Sequence, residues 1–560
     1  MISKYGFYSR RVTQFHSKAV RDRRAHLGCA LLALGSWLSC TPCALASGLD
    51  LTFGTQGQVI TKFGPDARAF GIAVAADGAI VASGSTAGGG TALARYLQSG
   101  APDSAFGNGG RILDSGPQGF VTSGPVVLQA DGSPVVAGNV QNFGVNSIHF
   151  SRFAVSPGSI STEFQLTALG SAYKNVFGLA QGPDGTLYAA GSANIPPNGN
   201  VLLVAVDASL APATGFGTNG SKVIDLGGDD AAFAVARQPD GKLVVAGRRT
   251  LARSSQFAVL RLLTDGTLDT SFGTGGTVIT EFPDGRSADA RALALQADGK
   301  IVVVGFSVLN DASDLALARY QTNGSLDTGF GTGGLVTADL GGTIDEGLAL
   351  LRAADGTLFV AGSTNSASSV RDGVVVAFRP DGTRDLTFGD HGVAVIDFGG
   401  TDDRIRAVAA QGTKLVAAGY SNVGGSFGFA LARLTREAAV PLAYCHGVKA
   451  TIVGTSGNDT IVGTPRRDVV VGLAGNDRIR TLGGADLVCA GAGDDIVDAG
   501  SGDDVIYGDG GNDQLLGAIG NDVLIGGSGT RDKLDGGAGR DTCRDAATSQ
   551  FSRCERVLPK

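Results

Sequence analysis

The chain contains 560 residues, of which 88 are glycine, and its formal net charge is −7 at pH 7. This length is sufficient for two or three domains, and the many glycines among short segments rich in valine, alanine and leucine indicate an all-β fold. The acidic balance disfavours nucleic acid and anionic lipid as partners and favours cations.

Residues 1–46 have the pattern of an export signal. A basic segment (residues 4–24) precedes an apolar run (residues 27–38), and the small residues Ala44-Leu45-Ala46 offer a cleavage site. Cleavage would remove seven Lys or Arg and one Asp, which changes the formal net charge from −7 to −13. The apolar run is shorter than a spanning helix, and the mature chain has no other candidate transmembrane segment. We predict an extracellular or cell-surface protein, with a periplasmic location as the alternative; the general and twin-arginine export routes both stay open.

A hairpin signal recurs seven times between residues 47 and 434. Six copies have an Asp-Gly turn followed by an apolar run, and the seventh has Gln411-Gly412 in the same place. Successive copies are 53 to 58 residues apart, and the Asp-Gly turns begin at Asp77, Asp131, Asp184, Asp240, Asp298 and Asp355. Such a regular period predicts a repeat architecture.

Each copy contains four segments of strand composition. In one copy these are residues 277–282, residues 291–296, the run after the Asp-Gly turn, and residues 315–320. Four short strands in a unit of this length are typical of a propeller blade. We therefore predict a seven-bladed β-propeller over residues 47–434. The sequence leaves open how the ring closes.

Two kinds of landmark residue accompany these strands. A phenylalanine stands in a Phe-Gly turn, and we interpret it as packing between blades. An arginine ends the fourth segment of several copies, and we interpret it as ion-paired or solvated. The phenylalanines are Phe53, Phe106, Phe216, Phe272, Phe330 and Phe388, and the arginines are Arg95, Arg261, Arg319 and Arg433.

Residues 268–276 and 326–331 resemble the delta-sixty repeat of bacterial exported proteins. The first stretch reads Leu-Asp-Thr-Ser-Phe-Gly-Thr-Gly-Gly, and the second reads Leu-Asp-Thr-Gly-Phe-Gly. The resemblance implies a propeller and brings no established activity or catalytic residue.

After a predicted linker at residues 435–446, an aspartate occurs at every ninth residue. The repeated text is Gly-x-x-Gly-Asn/Asp-Asp-x-apolar-x, and the apolar residue two places after each aspartate should point into a core. Arg466 and Arg467 interrupt the pattern beside Asp468. After Asp522 one extra residue shifts the phase, and we interpret the two aspartates that follow as a less regular, capping end. The aspartates are Asp459, Asp468, Asp477, Asp486, Asp495, Asp504, Asp513 and Asp522, followed by Asp532 and Asp541.

This pattern resembles the nonapeptide repeats of RTX (repeats-in-toxin) proteins. The resemblance implies a parallel β-roll within residues 447–560, in which two nonapeptides make one coil. It also implies Ca²⁺ between neighbouring aspartates, held by carboxylate and loop carbonyl oxygens, which are hard ligands. One edge of the roll would carry Asp459, Asp477, Asp495 and Asp513, and the other Asp468, Asp486, Asp504 and Asp522.

Four cysteines follow the export signal and the propeller: Cys445, Cys489, Cys543 and Cys554. An even number in an exported chain indicates two disulfides. We predict the pairs Cys445–Cys489 and Cys543–Cys554, while the other two pairings stay open.

The sequence contains no recognisable catalytic motif. The three histidines of the mature chain, His149, His391 and His446, lie in different repeats, and a Gly-x-Ser-x-Gly match at residues 424–428 falls between two predicted strands, as a hairpin loop does. We predict an exported calcium-binding protein, not an enzyme, whose propeller binds a glycan, a cell-wall component or another protein. The alternative is a secreted polysaccharide-active hydrolase or lyase with its active site on the propeller face.

Overall fold

The structure is a computed structural model, and it describes residues 48–64, 66–114, 120–142, 145–155, 160–166, 173–195, 197–252, 254–365, 370–436, 444–454, 457–545 and 549–559. The predicted export signal therefore lies outside the described residues. Within them the secondary structure is β, with two short 3-10 turns at Pro283–Gly285 and Val423–Gly425. No helix in this part of the chain has the length and apolar character that crossing a membrane would need.

Seven four-stranded antiparallel sheets form the blades of a propeller. The all-β fold and the seven blades are thus confirmed. In chain order the strands are β1 (Gln58–Thr61), β2 (Ala67–Val74), β3 (Ile80–Thr86), β4 (Thr91–Tyr96), β5 (Arg111–Asp114), β6 (Phe120–Leu128), β7 (Pro134–Asn142), β8 (Val145–Phe153), β9 (Ile160–Leu166), β10 (Tyr173–Gln181), β11 (Leu187–Ile195), β12 (Asn198–Val206), β13 (Ser221–Ile224), β14 (Asp229–Arg237), β15 (Leu243–Leu251), β16 (Ser254–Leu262), β17 (Thr277–Thr280), β18 (Ser287–Leu295), β19 (Ile301–Leu309), β20 (Ala312–Tyr320), β21 (Leu335–Ala338), β22 (Asp345–Arg352), β23 (Leu358–Asn365), β24 (Arg371–Phe378), β25 (Val393–Ile396), β26 (Asp403–Gln411), β27 (Lys414–Ser421) and β28 (Gly428–Leu434).

The boundaries of the sequence repeat and of the blade differ by one strand. The segment after each Phe-Gly turn, predicted as the first strand of a repeat, is the outer strand of the preceding blade: β17 pairs with β16, with Thr280 opposite Phe257. Each landmark arginine consequently lies on the third strand of its blade, and its prediction on a fourth strand was wrong. The reason is that an outer strand pairs only with the strand before it, which a period in the sequence does not reveal.

The N-terminal strand closes the ring. β1 pairs with β28, with Gln58 opposite Ala432 and Thr61 opposite Phe429, so the seventh blade is β26-β27-β28-β1. We call the contact of residues 49–61 with the three C-terminal strands of this blade, β26 to β28, the seam. It answers the question of closure that the sequence left open.

One three-residue contact recurs on the blades. Arg261 Nε donates to Asp269 Oδ2 at 2.7 Å, and the guanidinium lies 4.7 Å from the ring centroid of Phe272. The same arginine donates through Nη1 to the carbonyl oxygen of Thr322, in the hairpin of the next blade. Arg319, Asp327 and Phe330 repeat this arrangement, and at the seam it is formed by Arg433, Asp50 and Phe53. These contacts agree with the packing and ion-pair roles predicted for the landmark residues.

The chain continues into a parallel β-roll of two sheets. A hairpin of β29 (Tyr444–Cys445) and β30 (Val448–Lys449) precedes it. The seven-stranded sheet contains β31 (Ile452–Val453), β33 (Val469–Val471), β35 (Leu487–Ala492), β37 (Val505–Gly510), β39 (Val523–Ile525), β41 (Thr542–Asp545) and β43 (Arg556–Pro559). The six-stranded sheet contains β32 (Thr460–Val462), β34 (Arg478–Arg480), β36 (Ile496–Asp498), β38 (Gln514–Ile519), β40 (Lys533–Ala538) and β42 (Gln550–Ser552).

Each coil of the roll advances the chain by two nonapeptides. Val470 lies opposite Val488, and Val488 opposite Ile506, along one sheet. The apolar residues predicted to face inward are buried between the two sheets, with exposures of 0–7%: Ile461, Val470, Ile479, Val488, Val497, Ile506, Leu515 and Leu524. Stacking one apolar side chain per nonapeptide therefore produces the core.

Two disulfides hold the ends of the roll, and both pairings are those predicted. Cys445 in the hairpin bonds Cys489 on β35, and Cys543 on β41 bonds Cys554 in the tail, with Cα–Cα distances of 5.6 and 5.9 Å. The ring of His446 stacks on Tyr507 at 3.7 Å. The hairpin thus lies against the outer side of the seven-stranded sheet.

Candidate metal centre

The aspartates of the nonapeptides form two rows along the roll. In each row, the backbone N–H of one aspartate donates to Oδ1 of the aspartate one coil later, as from Asp486 to Asp504 at 2.7 Å. Bonds of 2.7–2.9 Å also join the pairs 459–477, 468–486, 477–495, 495–513, 504–522, 513–532 and 522–541. The first row is Asp459, Asp477, Asp495, Asp513 and Asp532, and the second is Asp468, Asp486, Asp504, Asp522 and Asp541. They correspond to the two edges expected from the resemblance.

The second oxygen of most of these carboxylates is unsatisfied. Seven aspartates have a buried Oδ2 with no hydrogen-bond partner among the described residues: Asp477, Asp486, Asp495, Asp504, Asp513, Asp522 and Asp541. Their residue exposures are only 0–2%. Burying an ionised carboxylate without a donor or cation is strongly unfavourable, so each of these oxygens calls for a positive partner.

Carbonyl oxygens converge on the same places. A Cβ added to Gly508 would meet both Asp513 Oδ2 and the carbonyl oxygen of Gly526 in the next coil. One repeat later, Gly517 stands in the same way between Asp522 Oδ2 and Gly536. The rows therefore offer carboxylate and carbonyl oxygens close together, and these donors fit a hard divalent cation such as Ca²⁺.

The pKa values of the row aspartates also indicate a site for a cation. Burial, together with the charges of neighbouring aspartates, raises the pKa of Asp513 to about 7 and the pKa of Asp495 and Asp504 to about 6. A carboxyl whose pKa is higher in the folded state than in the unfolded state destabilises the fold once it is ionised. At neutral pH, a bound cation would remove this penalty.

A column of glycines makes the turns possible. Gly502 has φ of +133°, a conformation that residues with a side chain rarely adopt, and its Cβ would overlap the carbonyl oxygen of Gly484 one coil earlier. Gly493, Gly511 and Gly520 have φ of +131°, +137° and +148°. The fourth position of the nonapeptide is therefore fixed by backbone geometry.

We expect Gly502→Ala to lower the free energy of unfolding of the roll by about 2 kcal/mol or more, since both the strained φ and the overlap with Gly484 disfavour a methyl group. Gly510→Ala is the control, because Gly510 has no positive φ and its Cβ would lie 3.2 Å from the flexible Ser528 side chain. Urea unfolding in saturating Ca²⁺ measures both. Equal losses would contradict the role given to the column.

The beginning of the second row departs from the pattern, as the sequence indicated. Thr464 donates to Asp468 Oδ2 through its backbone N–H at 2.7 Å and through Oγ1 at 3.1 Å. The oxygen that is unsatisfied in later repeats is occupied here by protein donors. Arg466, at the fourth position of this nonapeptide, lacks the positive φ of the glycine column.

The extra residue after Asp522 does not end the rows. Asp532 and Asp541 take the next places, because the loop between β39 and β40 absorbs the insertion. Glu555 Oε2 then accepts the N–H of Asp541 at 2.6 Å, and it stands where a further aspartate would. No pattern in the sequence pointed to Glu555, since it lies outside the nine-residue period.

A second, exposed ladder lies beside the rows and was also missed. Asn476 Oδ1 accepts the N–H of Asp494 at 3.0 Å, and Asp494 Oδ1 accepts that of Asn512 at 2.8 Å. The residue before each row aspartate is Asn or Asp in these repeats, and this was the available signal. Its role is to bond successive loops.

The fold and the oxygen rows define the chain as a β-propeller joined to a calcium-binding type of β-solenoid. Residues 453–488, 462–497, 489–524 and 515–543 match the family described as the RTX calcium-binding nonapeptide repeat. Residues 238–272, 296–330 and 353–388 match a family described as a β-propeller domain of unknown function, DUF5122. The C-terminal repeats are therefore RTX calcium-binding repeats, and the resemblances to RTX repeats and to a repeat-built propeller are confirmed. No curated protein matches the chain.

Several solved structures are similar to part of the chain. A protein of unknown function from Dyadobacter fermentans is 14% identical, with a TM-score of 0.38, over 68% of this chain and 98% of that one. The polysaccharide lyase Uly1 is 11% identical, with a TM-score of 0.39, over 69% and 92%. The extracellular domains 1–2 of Drosophila Semaphorin 1a are 11% identical, with a TM-score of 0.37, over 66% and 87%. Similarity at this level carries no functional assignment.

Proposed function

We propose that the chain is an exported calcium-binding protein whose roll folds around Ca²⁺ and whose propeller is a binding or surface-interaction module. The observation that carries the proposal is the set of seven buried row aspartates whose Oδ1 accepts from the neighbouring coil and whose Oδ2 has no donor among the described residues: Asp477, Asp486, Asp495, Asp504, Asp513, Asp522 and Asp541. Ten aspartates are proposed as ligands: Asp459, Asp468, Asp477, Asp486, Asp495, Asp504, Asp513, Asp522, Asp532 and Asp541. Asp468 is the weakest of them, since Thr464 already occupies its Oδ2.

Calcium fits this donor set better than the other common cations. The donors are all oxygens, which excludes a preference for soft metals. Mg²⁺ demands near-ideal octahedral geometry and keeps several waters, whereas Ca²⁺ accepts six to eight oxygens in a flexible arrangement. A solenoid whose ligands come from the backbone and from rigid turns supplies the second kind of site.

Calcium would also couple folding to location. A site that exists only in the folded roll makes binding energy available as folding energy. Ca²⁺ is scarce inside cells and plentiful outside, so the roll would stay unfolded before export and fold afterwards. The propeller would then present its loop face to a glycan, a cell-wall component or a protein partner. No observation on the described residues favours the polysaccharide-active alternative.

The proposal is tested by titrating residues 47–560 with Ca²⁺ at fixed ionic strength. We expect protease-sensitive sites in residues 457–545 to become protected as free Ca²⁺ rises, with equal Mg²⁺ giving little protection. Protection that is complete in a chelator would contradict calcium-coupled folding.

Export is tested separately, by N-terminal sequencing of the chain recovered from outside the cytoplasmic membrane. A first residue of Ser47 is the expected result. A recovered chain that keeps residues 1–46, or no chain outside that membrane, would contradict the export proposal.

A further inference from the structure

The innermost strand of every blade carries a β-bulge, and the bulges meet on the propeller axis. The register of each innermost strand against its neighbour shifts at this point, as between Ala69 and Gly71 in β2. A bulge re-aims the side chain of the extra residue. One residue from each of the seven shifts lines the same cavity of about 250 Å³: Phe70, Gly124, Phe177, Phe233, Arg291, Leu348 and Arg406.

The wall of this axial cavity combines aromatic rings with guanidinium groups. The rings of Phe177 and Phe233 lie 5.0 Å apart between centroids. Arg291 stacks over Phe233 at 4.1 Å, and Arg406 lies 5.6 Å from the centroid of Phe70. Such a wall offers apolar faces to a ring and two cations to an anion.

The two arginines differ in their partners. Arg291 is ion-paired to Asp289, at 2.9 Å from Nη2 to Oδ2, and Asp289 also contacts Arg248 at 3.0 Å. Arg406 forms no hydrogen bond or ion pair with any residue that the structure describes. The acid that faces it, Glu346, is already engaged with Arg371 at 3.6 Å.

Arg406 is therefore a cation without a protein anion. Burial lowers the pKa of Arg406, yet a guanidinium stays charged in proteins. An unpaired charge in such a place is costly unless a ligand neutralises it. A carboxylate matches the planar fork of the guanidinium in two parallel hydrogen bonds.

We propose that the axial cavity binds a small organic carboxylate with a ring-shaped apolar face. Arg406 pairs with the carboxylate, and Phe70, Phe177 and Phe233 cover the ring. This inference deepens the proposed function, on which it rests, because it names a ligand class for the propeller. Aromatic acids and sugar acids share this chemistry, since a sugar ring also has an apolar face.

Calorimetry on residues 47–560 in saturating Ca²⁺ tests the proposal, with benzoate and glucuronate as probes. Benzyl alcohol and glucose are the uncharged counterparts. We expect at least one acid to bind at least tenfold more tightly than its uncharged counterpart, and Arg406→Gln to abolish that difference. Arg404→Gln is the matched control, because Arg404 is paired to Asp402 at 2.8 Å and does not line the cavity; it should bind like the unaltered chain.

Binding of benzoate alone would assign an aromatic acid, and binding of glucuronate alone a sugar acid. Equal binding of each acid and its uncharged counterpart, or binding of neither acid at millimolar concentration, overturns the proposal. If Arg406→Gln does not fold, the comparison of acid with uncharged counterpart on the unaltered chain decides. Protection of the roll from protease by Ca²⁺ is measured on the same samples. A failure of calcium-coupled folding is therefore distinguished from a failure of ligand binding in the cavity.

Discussion

Asp504→Asn is expected to have opposite effects on the roll with and without calcium. In Ca²⁺ it should weaken binding roughly ten- to hundred-fold, because loss of a charge-assisted contact costs about 1.5–3 kcal/mol. Asparagine can still accept the hydrogen bond from Asp486 N, so the ladder is kept and only the second oxygen is lost. Calorimetric Ca²⁺ titration and unfolding in Ca²⁺ measure this loss.

In a chelator the same variant should be more stable than the unaltered chain. Burial raises the pKa of Asp504 to about 6, whereas the unfolded value is about 3.9. Above pH 6 the carboxylate is charged in both states, and the charge then disfavours folding; below that pH the folded state takes up a proton and the penalty fades. Replacing Asp504 by a neutral side chain removes the penalty at pH 7.

The control is Asp503→Asn, which removes the same formal charge one residue away. Asp503 is exposed and accepts the N–H of Asn521 at 2.8 Å in the outer ladder. We expect less than a threefold change in calcium affinity and little change in a chelator. If Asp504→Asn behaves like Asp503→Asn in both conditions, the buried row is not the calcium site.

The roll could be predicted closely because each of its constraints is local. The resemblance to RTX repeats implies two nonapeptides in each coil, and with that number the nine-residue period places Val470 over Val488 and Asp486 beside Asp504. The period could not show where a side chain from outside the repeat pattern supplies a hydrogen bond in an aspartate row. Glu555 ends the second row, and Thr464 occupies Asp468, through contacts that depend on the path of individual loops.

The sequence predicts the number of propeller blades, but it does not predict which strands pair to close the ring. Its turns and strands are read from neighbouring residues, but the seam joins Gln58 to Ala432 across almost the whole ring. The axial cavity could not be predicted from the sequence for a related reason. Phe177 and Arg406 reach it through bulges, and a bulge shows only when two strands are aligned.

Asp50→Asn is expected to lower the free energy of unfolding of the propeller by about 3–5 kcal/mol, the usual cost of breaking a buried ion pair by removing one partner. Asp50 Oδ2 accepts from Arg433 Nε at 2.7 Å and from Lys414 at 2.5 Å, and both Asp50 and Arg433 have side chains only 5–6% exposed. Asparagine would leave Arg433 buried without its counter-ion.

The contact also predicts a dependence on pH. Burial raises the pKa of Asp50, but hydrogen bonds from Lys414 and Thr52 and the charge of Arg433 outweigh it and hold the pKa well below the usual range. A carboxyl with a depressed pKa in the folded state contributes full stability above its unfolded pKa of about 3.9 and loses it as the pH falls further. The difference in stability between the unaltered chain and Asp50→Asn should therefore be constant at neutral pH and shrink below about pH 4.

Asp327→Asn is the control that distinguishes an effect on ring closure from the loss of an Arg-Asp ion pair as such. Asp327 accepts from Arg319 Nε at 2.7 Å and contacts Lys300 at 3.0 Å, but it lies within a continuous stretch of chain. Each variant loses an ion pair of the same kind, but only Asp50→Asn loosens the strand that closes the ring. Hydrogen exchange should accelerate in Gln58–Thr61 and Gly428–Leu434 for Asp50→Asn, and in neither strand for Asp327→Asn. Equal exchange at the seam in both variants would mean that strand pairing alone, without the ion pair, holds the ring shut.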